Sequence, residues 1–400
     1  MRAVVVGNGL AGMIAAKTIR ELDTSSEIIV FAEEKHPYYP RPNLIEYLAG
    51  RLPFEKLFAF PADWAERMKI DMRLGVFLKA VHPGGPSVET DGGEIVPCDA
   101  LLLANGARAA IPPIKGADGP DVYVLRTLDD ALEIQKRLED GGRAAVIGGG
   151  LLGLEIARAL GESGASVRVI EFFDRLLPRQ LDDRGSRILS DRVAKMGIDV
   201  HLGAVTEEIR ADGNGLHLRL KDGREFASDI VIAAAGVCPR IEPAAAAGLK
   251  TRKGVVVDDT LMTGAPGVYA AGDVAEHSGR SYGIIPAAFE QARVAAHNML
   301  GIEKKYEGTV PFTTLKVVGL AVTSVGAVEP ESDRDEVLFR ERPEEGIYKK
   351  ILIRNGAVAG AVWMGTRKGA AEIAKLAARK AYVEKWKNEL LDDEFDFSVV

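Results

Sequence analysis

The chain has 400 residues, 47% of them hydrophobic and 27% charged, and its 51 basic and 58 acidic side chains give a formal net charge of −7. Its length predicts two to three domains of about 150 residues each, and its composition is typical of a soluble globular protein. The acidic balance argues against nucleic acid as a partner, and without an apolar run of about 18 residues no membrane span is predicted. The apolar N-terminus has no charged leader, so we expect a cytoplasmic protein.

A dinucleotide-binding fingerprint opens the chain. The strand Val4–Val6 leads into Gly7-Asn8-Gly9-Leu10-Ala11-Gly12, whose glycines have the spacing G-x-G-x-x-G, and the helical run Met13–Leu22 follows. The first glycine allows a tight turn, the second lets a pyrophosphate reach the backbone N–H groups, and the third lets the helix pack on the strand. The next strand, Glu27–Ala32, ends at Glu33-Glu34, with Glu33 placed 21 residues after Gly12, where a carboxylate can bind a ribose.

A proline-rich loop, Lys35–Leu44, follows this acid and predicts an ordered, non-helical segment beside the cofactor. Within it, Arg41 is a candidate for a phosphate contact and Pro42 for packing against a ring; a rigid surface loop is the alternative. Downstream, residues 61–69 predict a helix and residues 70–100 a small β-meander. The run 100–103 then predicts a buried strand that ends in the turn 104–107.

The fingerprint recurs in the middle of the chain, after an amphipathic helix predicted over residues 126–141. The strand 144–147 leads into Gly148, Gly150 and Gly153, which repeat the G-x-G-x-x-G spacing, and a helix is predicted over 154–163. A second nucleotide-binding unit makes a pair of dinucleotides the expectation, and the usual pair is a flavin and a nicotinamide.

An acid also follows the second fingerprint. The predicted strand 166–170 ends at Glu171, 18 residues after Gly153. A carboxylate at this point binds a free 2′-hydroxyl and repels a 2′-phosphate, which favours NADH over NADPH; nearby Arg175 is the counter-argument. Residues 197–236 then repeat the pattern of a meander and a buried strand, ending at Gly236, so the chain is interpreted as an internal duplication.

The segment 266–300 predicts a short strand that ends in Gly272-Asp273, followed by a long helix that begins near Pro286. The N-terminus of that helix carries unpaired N–H groups and a partial positive charge that suit an anionic reduced flavin. Asp273 is expected to hold a ribityl hydroxyl. An ordinary surface turn before a helix is the alternative.

Residues 308–400 predict a separate α+β region with strands at 314–318, 321–325, 336–340, 348–354 and 357–364 and a helix over 369–382. Its basic face, with Lys375, Arg379 and Lys380, either docks an acidic carrier protein or is simply solvated. The acidic end, 392–397, either frays or packs elsewhere. The chain has two cysteines, Cys98 and Cys238, without a C-x-x-C pattern, so both are interpreted as small buried residues and no metal site is predicted.

The order of these motifs resembles the FAD-dependent pyridine nucleotide-disulfide oxidoreductase superfamily. The segments 39–44, 275–283 and 314–319 resemble the NADH:rubredoxin reductases and the flavin module of nitrite reductases. The resemblance implies an α/β fold with two Rossmann-like, glutathione-reductase-type domains, the NAD domain inserted in the FAD domain, and a C-terminal α+β interface domain. The implied domains are FAD-binding over 1–112 and 237–306, NAD-binding over 113–236, and C-terminal over 307–400.

The cofactors implied are FAD and NADH. The predicted FAD contacts are Gly7, Asn8, Gly9, Leu10, Ala11, Gly12, Glu33, Glu34, Arg41, Pro42, Ala104, Asn105, Gly106, Arg108, Gly272, Asp273, Pro286 and Ala287. The predicted NADH contacts are Gly148, Gly150, Leu151, Leu152, Gly153, Glu171 and Gly236.

Three residues are the candidate catalytic positions: Glu155, Pro42 and Glu46. The resemblance places Glu155 close to the nicotinamide carboxamide and flavin N5. Thiol-using relatives have a cysteine near the position of Pro42, and related ferredoxin reductases often have a lysine at the position of Glu46. Here Glu46 and Glu155 are expected to face each other, with one of them a candidate for protonation.

The resemblance implies hydride transfer from NADH to flavin N5 and then electron transfer to a small carrier such as rubredoxin or ferredoxin, without a redox-active cysteine. An NADH:quinone oxidoreductase or an H2O2-forming NADH oxidase is one alternative. A flavin subunit or redox-sensing module of a larger complex is another. Monomer and homodimer both stay open.

Overall fold

A computed structural model of the chain describes residues 1–138, 141–309 and 312–400. Its first five-stranded sheet is parallel, with the order β19-β7-β1-β2-β3. The strands are β1 (Arg2–Val6), β2 (Glu27–Ala32), β3 (Ile70–Leu74), β7 (Ala100–Leu103) and β19 (Val268–Ala270). A separate antiparallel meander contains β4 (Leu78–His82), β5 (Ser87–Thr90) and β6 (Ile95–Pro97).

The second five-stranded sheet is also parallel, with the order β12-β11-β10-β16-β9. Its strands are β9 (Val122–Tyr123), β10 (Arg143–Ile147), β11 (Ser166–Ile170), β12 (Asp199–His201) and β16 (Ile230–Ala233), and its meander has β13 (Thr206–Asp212), β14 (Gly215–Leu220) and β15 (Glu225–Ser228). The two sheets have the same strand order, as the predicted duplication requires, except at one edge. There the first sheet has its last strand in the chain, β19, and the second sheet has its first strand in the chain, β9.

Two short ribbons accompany the sheets, and the first of them connects the two parts. One pairs β8 (Ala107–Ala109) with β17 (Val237–Pro239), the points where the chain passes into and out of the second sheet. The other pairs β18 (Val255–Val257) with β20 (Ala275–His277). An inserted NAD domain would produce this arrangement; the domain boundaries themselves stay a prediction.

The helices are α1 (Leu10–Leu22), α2 (Asn43–Leu48), α3 (Trp64–Arg67), α4 (Leu128–Arg137), α5 (Leu151–Glu162), α6 (Asp183–Ala194), α7 (Glu242–Ala246), α8 (Ile285–Met299) and α9 (Ala370–Ala378). Three are shorter than predicted. Lys69 has a φ of 51° two residues after the end of α3, and Lys380 has a φ of 49° two residues after the end of α9, so the chain turns at both points. A capping box at Thr127 starts α4, and residues 139–140 of the helix predicted over 126–141 lie outside the described residues.

The C-terminal sheet is antiparallel, with the order β21-β22-β25-β24-β23. Its strands are β21 (Phe312–Val317), β22 (Leu320–Gly326), β23 (Glu336–Arg342), β24 (Ile347–Arg354) and β25 (Ala357–Met364), close to the predicted ones. The acidic end packs on this sheet, because Phe395 and Phe397 contact its core and Lys349 donates to Asp393 at 2.7 Å. Lys375, Arg379 and Lys380 are exposed.

One hydrophobic core joins all three regions. It contains Leu44 of α2, Leu154 of α5, and Val318 and Tyr348 of the C-terminal region, all nearly inaccessible to solvent. The relative placement of the two parallel sheets therefore depends on the C-terminal region as well. Within residues 1–138, 141–309 and 312–400, no helix is both long and apolar enough to cross a membrane.

Candidate cofactor sites

The first glycine turn connects β1 to α1. A Cβ on Gly7 would lie 2.2 Å from the Ala104 carbonyl oxygen, and one on Gly12 would lie 1.8 Å from the Gly7 carbonyl oxygen. The packing of the chain itself therefore requires both glycines. Gly9 differs, because a Cβ there would meet no atom of the described residues within 4 Å, and as the N-cap of α1 it provides no side-chain hydrogen bond.

In the second glycine turn, too, packing requires the first and third glycines but not the middle one. A Cβ on Gly148 would lie 2.6 Å from the Ala234 carbonyl oxygen, and one on Gly153 would lie 1.9 Å from the Gly148 oxygen. Gly150, the N-cap of α5, has no side-chain cap, and no atom in the described part of the chain lies within 4 Å of where its Cβ would be. In both turns the middle glycine leaves room at a helix N-terminus, and that geometry fits a pyrophosphate bound by backbone N–H groups.

Glu171 lies beside the second turn. It is 5% exposed, and its carboxylate accepts hydrogen bonds from the backbone N–H groups of Gly149 and Phe173. Arg175, the cation that argues against a preference for NADH, pairs with two carboxylates. It donates to Asp183 at 2.8 Å and lies 3.5 Å from Glu329. These acids occupy the two terminal nitrogens of the guanidinium, whereas its buried Nε has no hydrogen-bond partner among the described residues. The preference for a free 2′-hydroxyl over a 2′-phosphate therefore depends on the carboxylate of Glu171 itself.

The acids after β2 are fixed by ion pairs. Glu33 pairs with Arg240, whose carbonyl oxygen accepts a hydrogen bond from the Asn105 amide at 2.8 Å. Glu34 accepts from Arg41 at 2.5 Å. Burial opposes the charge of Arg41, but Glu34 outweighs it and raises the pKa of Arg41 above its ordinary value.

Sequence reasoning missed Arg126. Its Nη2 donates to Asp273 at 2.9 Å and its Nε donates to the Ala107 carbonyl oxygen at 3.0 Å. Arg126 therefore places a cation beside the carboxylate predicted to hold a ribityl hydroxyl. The two residues are 147 positions apart, and no local pattern signals the contact. Asn105 adds a buried Oδ1 that has no hydrogen-bond partner among the described residues, as a ligand-facing acceptor would.

The helix α8 begins beside the first turn. Gln291 of α8 accepts a hydrogen bond from the Gly272 N–H at 2.8 Å, and a Cβ on Gly272 would lie 2.9 Å from the Ala11 Cβ. Its N-cap, Ile284, makes no side-chain hydrogen bond to the described residues, and Pro286 at the second helical position has no N–H. The N–H groups of Ile285 and Ala287 are therefore the ones that α8 can offer to a ligand. The side chain of Ala287 is buried in the protein, which leaves its backbone for any cofactor contact.

Four further residues predicted to contact a cofactor make contacts within the protein or start a helix. Asn8 donates to the His36 carbonyl oxygen at 2.9 Å, Arg108 pairs with Glu242, Gly236 accepts from the Ala110 N–H, and Pro42 is the N-cap of α2. None of these positions tests the predicted cofactor contacts, which stay predictions.

The expectation about Glu46 and Glu155 needs correction. Arg158 lies between them, with its Nη2 2.6 Å from Glu155 and 3.5 Å from Glu46. Arg51 also donates to Glu46 at 2.8 Å. These hydrogen bonds, chiefly from Arg51, hold the pKa of Glu46 below its ordinary value, which argues against Glu46 as the protonated member of the pair. The catalytic roles of both acids stay predictions.

The cysteine interpretation is also partly wrong, because Cys238 is exposed. Cys98 is half-buried, donates to the Pro86 carbonyl oxygen at 3.3 Å, and burial raises its pKa to about 11. In the part of the chain that the structure describes, no group of three or more metal-ligating side chains occurs.

The chain matches two known protein family models. Residues 1–296 match the family described as "Pyridine nucleotide-disulphide oxidoreductase", and residues 311–381 match the family described as "Rubredoxin NAD+ reductase C-terminal domain". The chain is 38% identical over 365 residues to the nitrite reductase (NAD(P)H) of Bacillus subtilis, covering 90% of this chain and 45% of that protein. The chain thus spans less than half the length of this relative.

Two other relatives match along nearly their whole length. The chain is 30% identical over 370 residues to the NADH-rubredoxin oxidoreductase of Clostridium acetobutylicum, covering 92% of this chain and 93% of that protein. It superposes on a ferredoxin reductase of Rhodopseudomonas palustris with a TM-score of 0.89 and 28% identity, over 100% of this chain and 99% of that one. The predicted fold class is confirmed, and the chain belongs to the pyridine nucleotide-disulphide oxidoreductase family.

Proposed function

We propose that the chain is an NADH-dependent FAD oxidoreductase that delivers electrons to a small carrier protein of the rubredoxin or ferredoxin type, without a redox-active cysteine. One observation carries the proposal: Gly9 and Gly150 each leave open space at a helix N-terminus, next to glycines that the chain's own packing requires. Two such sites in two parallel sheets suit two dinucleotides. When bound, FAD supplies a group that accepts two electrons together and returns them one at a time.

The residues have separate tasks in this proposal. The α1 N-terminus and Glu33 bind the adenosine diphosphate part of FAD, while Asp273, held by Arg126, binds the ribityl chain. The first N–H groups of α8 stabilise negative charge on the flavin ring. The α5 N-terminus binds the NADH pyrophosphate and Glu171 its adenosine ribose. Positioning and electrostatics are the chain's contribution.

A carrier acceptor is supported by the relatives and by the cysteines. The Clostridium acetobutylicum relative is named for NADH and rubredoxin, and the Rhodopseudomonas palustris structure for ferredoxin. Here the sequence has two cysteines 140 positions apart, and the pKa of Cys98 is raised away from the thiolate range. Electrons would therefore leave the flavin directly.

A second candidate is the flavin module of a larger assembly. The chain covers 90% of its own length but 45% of the Bacillus subtilis nitrite reductase. In that case the carrier would be a further domain or subunit, and the chain alone would take up electrons from NADH without turning over rubredoxin or ferredoxin.

Anaerobic titration of the FAD-loaded protein tests the nicotinamide step. We expect one equivalent of NADH to bleach the flavin absorbance, and NADPH to require a concentration at least about 10-fold higher because Glu171 repels its 2′-phosphate. Equal responses to the two nucleotides would contradict the specificity assigned to Glu171. No bleaching with either would contradict the proposed function.

A cysteine-free variant tests the direct exit of electrons. We expect Cys98→Ala combined with Cys238→Ser to keep carrier reduction within about twofold of the wild type, since neither thiol takes part. The assay is steady-state reduction of rubredoxin or ferredoxin by NADH, normalised to bound FAD. A loss of more than tenfold at unchanged FAD content would show that a thiol carries electrons.

A further inference from the structure

Five charged side chains meet where α2, α5 and the turn between β21 and β22 come together: Glu46, Arg51, Glu155, Arg158 and Glu162. Arg158 is the most buried of them, with 11% of its side chain exposed. It donates to Glu155 at 2.6 Å and to Glu162 at 2.9 Å, and lies 3.5 Å from Glu46. One guanidinium therefore serves three carboxylates.

Glu155 is held from two sides. Its Oε2 accepts from Nη2 and Nε of Arg158 at 2.6 and 3.1 Å, and its Oε1 accepts from the Val318 N–H at 2.7 Å. Val318 is a β-branched residue with a φ of 42° and is 1% exposed. Such a conformation is unfavourable for Val and persists only where the surroundings impose it. The carboxylate of Glu155 is consequently fixed by a side chain of its own helix and by the backbone of the C-terminal region.

The position of Glu155 indicates which end of NADH it meets. It lies five residues after Gly150, the N-cap of α5. Through Arg158 it faces Glu46 of α2, which begins directly after Pro42 and so belongs to the FAD side of the molecule. Glu171 lies at the end of β11, the adenosine side. Glu155 is thus the acid of the NADH site that faces the FAD part.

We propose that Arg158 is a positioning residue for the nicotinamide end of NADH: it fixes the Glu155 carboxylate against the Val318 N–H, so that Glu155 can accept a hydrogen bond from the carboxamide. The inference rests on the proposed function, and it assigns Arg158 no contact with the reacting atoms.

Arg51 cannot replace Arg158 in this role. Arg51 donates to Glu46 at 2.8 and 2.9 Å and pairs with Glu162, but has no hydrogen bond to Glu155 among the described contacts. Without Arg158, Glu155 would share a partly buried region with Glu46 and Glu162, and like charges repel. A lysine would keep the charge but not the forked geometry that reaches two carboxylates.

The test compares binding of NAD+ with binding of ADP-ribose, which lacks the nicotinamide. In Arg158→Met, we expect the Kd of NAD+ for the FAD-loaded protein to rise about 10-fold, the loss of one charge-assisted hydrogen bond, while the Kd of ADP-ribose stays within about twofold. The rate of flavin reduction at saturating NADH should fall about 100-fold, because misplacement of the ring weakens the reacting geometry. Arg158→Lys should keep part of the NAD+ affinity and part of the rate of flavin reduction.

Arg143→Met is the matched control, since Arg143 also pairs with a carboxylate, Asp229 at 2.6 Å, but at the opposite end of β10 from the glycine turn. Arg143→Met should change neither the ratio of the Kd values for NAD+ and ADP-ribose nor the rate of flavin reduction. If Arg158→Met weakens NAD+ and ADP-ribose equally, or neither, the inference is overturned. A wild-type protein that NADH does not reduce would instead contradict the proposed function.

Discussion

A Gly150→Val variant is expected to keep its fold and its FAD but to bind NADH about 100-fold or more weakly, because hydrogen bonds to a charged pyrophosphate contribute about 1.5–3 kcal/mol each. Gly150 has a φ of −77° and a ψ of −177°, an extended conformation that Val adopts readily, and within residues 1–138, 141–309 and 312–400 the structure places no atom within 4 Å of a Cβ there. The new side chain would instead occupy the approach to the α5 N-terminus. Equilibrium titration with NADH at measured FAD content checks this.

Gly161→Ala is the control for this substitution. Gly161 is also in α5 and has open space around its Cβ position, so alanine there should leave NADH binding unchanged and stabilise the helix by up to about 1 kcal/mol. NADH affinity of wild-type strength in Gly150→Val would show that the open space at Gly150 has no connection with the dinucleotide.

An Asp182→Ala variant is expected to lose about 3–5 kcal/mol of unfolding free energy, the usual cost of breaking a buried ion pair. Lys350 of β24 lies 2.6 Å from Asp182, and the two side chains are 5% and 9% exposed. The hydroxyl of Tyr348 donates to the same carboxylate at 2.6 Å, and the Gly185 N–H donates at 3.0 Å as part of the α6 cap. Alanine would leave a buried ammonium for which Glu329, at 3.6 Å, is the nearest acid among the described contacts.

The measurement is urea unfolding followed by tryptophan fluorescence; one of the three tryptophans, Trp363, is fully buried in the same sheet. Asp183→Ala is the control, because the side chain of Asp183 is 71% exposed and its ion pair should contribute less than about 1 kcal/mol. Similar unfolding free energies for the two variants would contradict the structural importance of Asp182.

The effect of Asp182 should also depend on pH. Burial raises the pKa of Asp182, but hydrogen bonds from Lys350 and Tyr348 outweigh burial and hold it below its ordinary value. A carboxylate with a lowered folded-state pKa stabilises the protein above its unfolded-state value of about 3.9, and the stabilisation disappears as the pH falls through the folded-state value. The difference between wild type and Asp182→Ala should therefore be complete at pH 7 and narrow below about pH 4.

Local patterns predicted the fold well where they were strong. The two glycine turns, the strands beside them and the five C-terminal strands lie close to their predicted positions, because apolar periodicity and glycine spacing act over short distances. The sequence pattern places residues 70–74 in the meander, but β3 pairs with β2 in the parallel sheet, since pairing depends on which sheet edge needs a partner. Nothing within residues 70–74 encodes that choice.

In the candidate site, too, local patterns predict some features and long-range packing decides others. Glu171 follows from its distance to Gly153, and the structure places its carboxylate on the glycine turn. The ion pair of Arg126 with Asp273 and the hydrogen bond from Val318 to Glu155 join residues 147 and 163 positions apart. Such contacts arise from the packing of whole regions, so a reading of spacing alone cannot find them.

Electron delivery from the NADH-reduced protein to rubredoxin tests the central claim most directly. The FAD-loaded protein would be bleached anaerobically with one equivalent of NADH and then mixed with oxidised rubredoxin, or with ferredoxin in a parallel experiment. Two equivalents of a one-electron carrier should restore the flavin absorbance, in the wild type and in the cysteine-free variant alike. A flavin that stays reduced with both carriers, and recovers only with dioxygen or a quinone, would contradict the proposed acceptor.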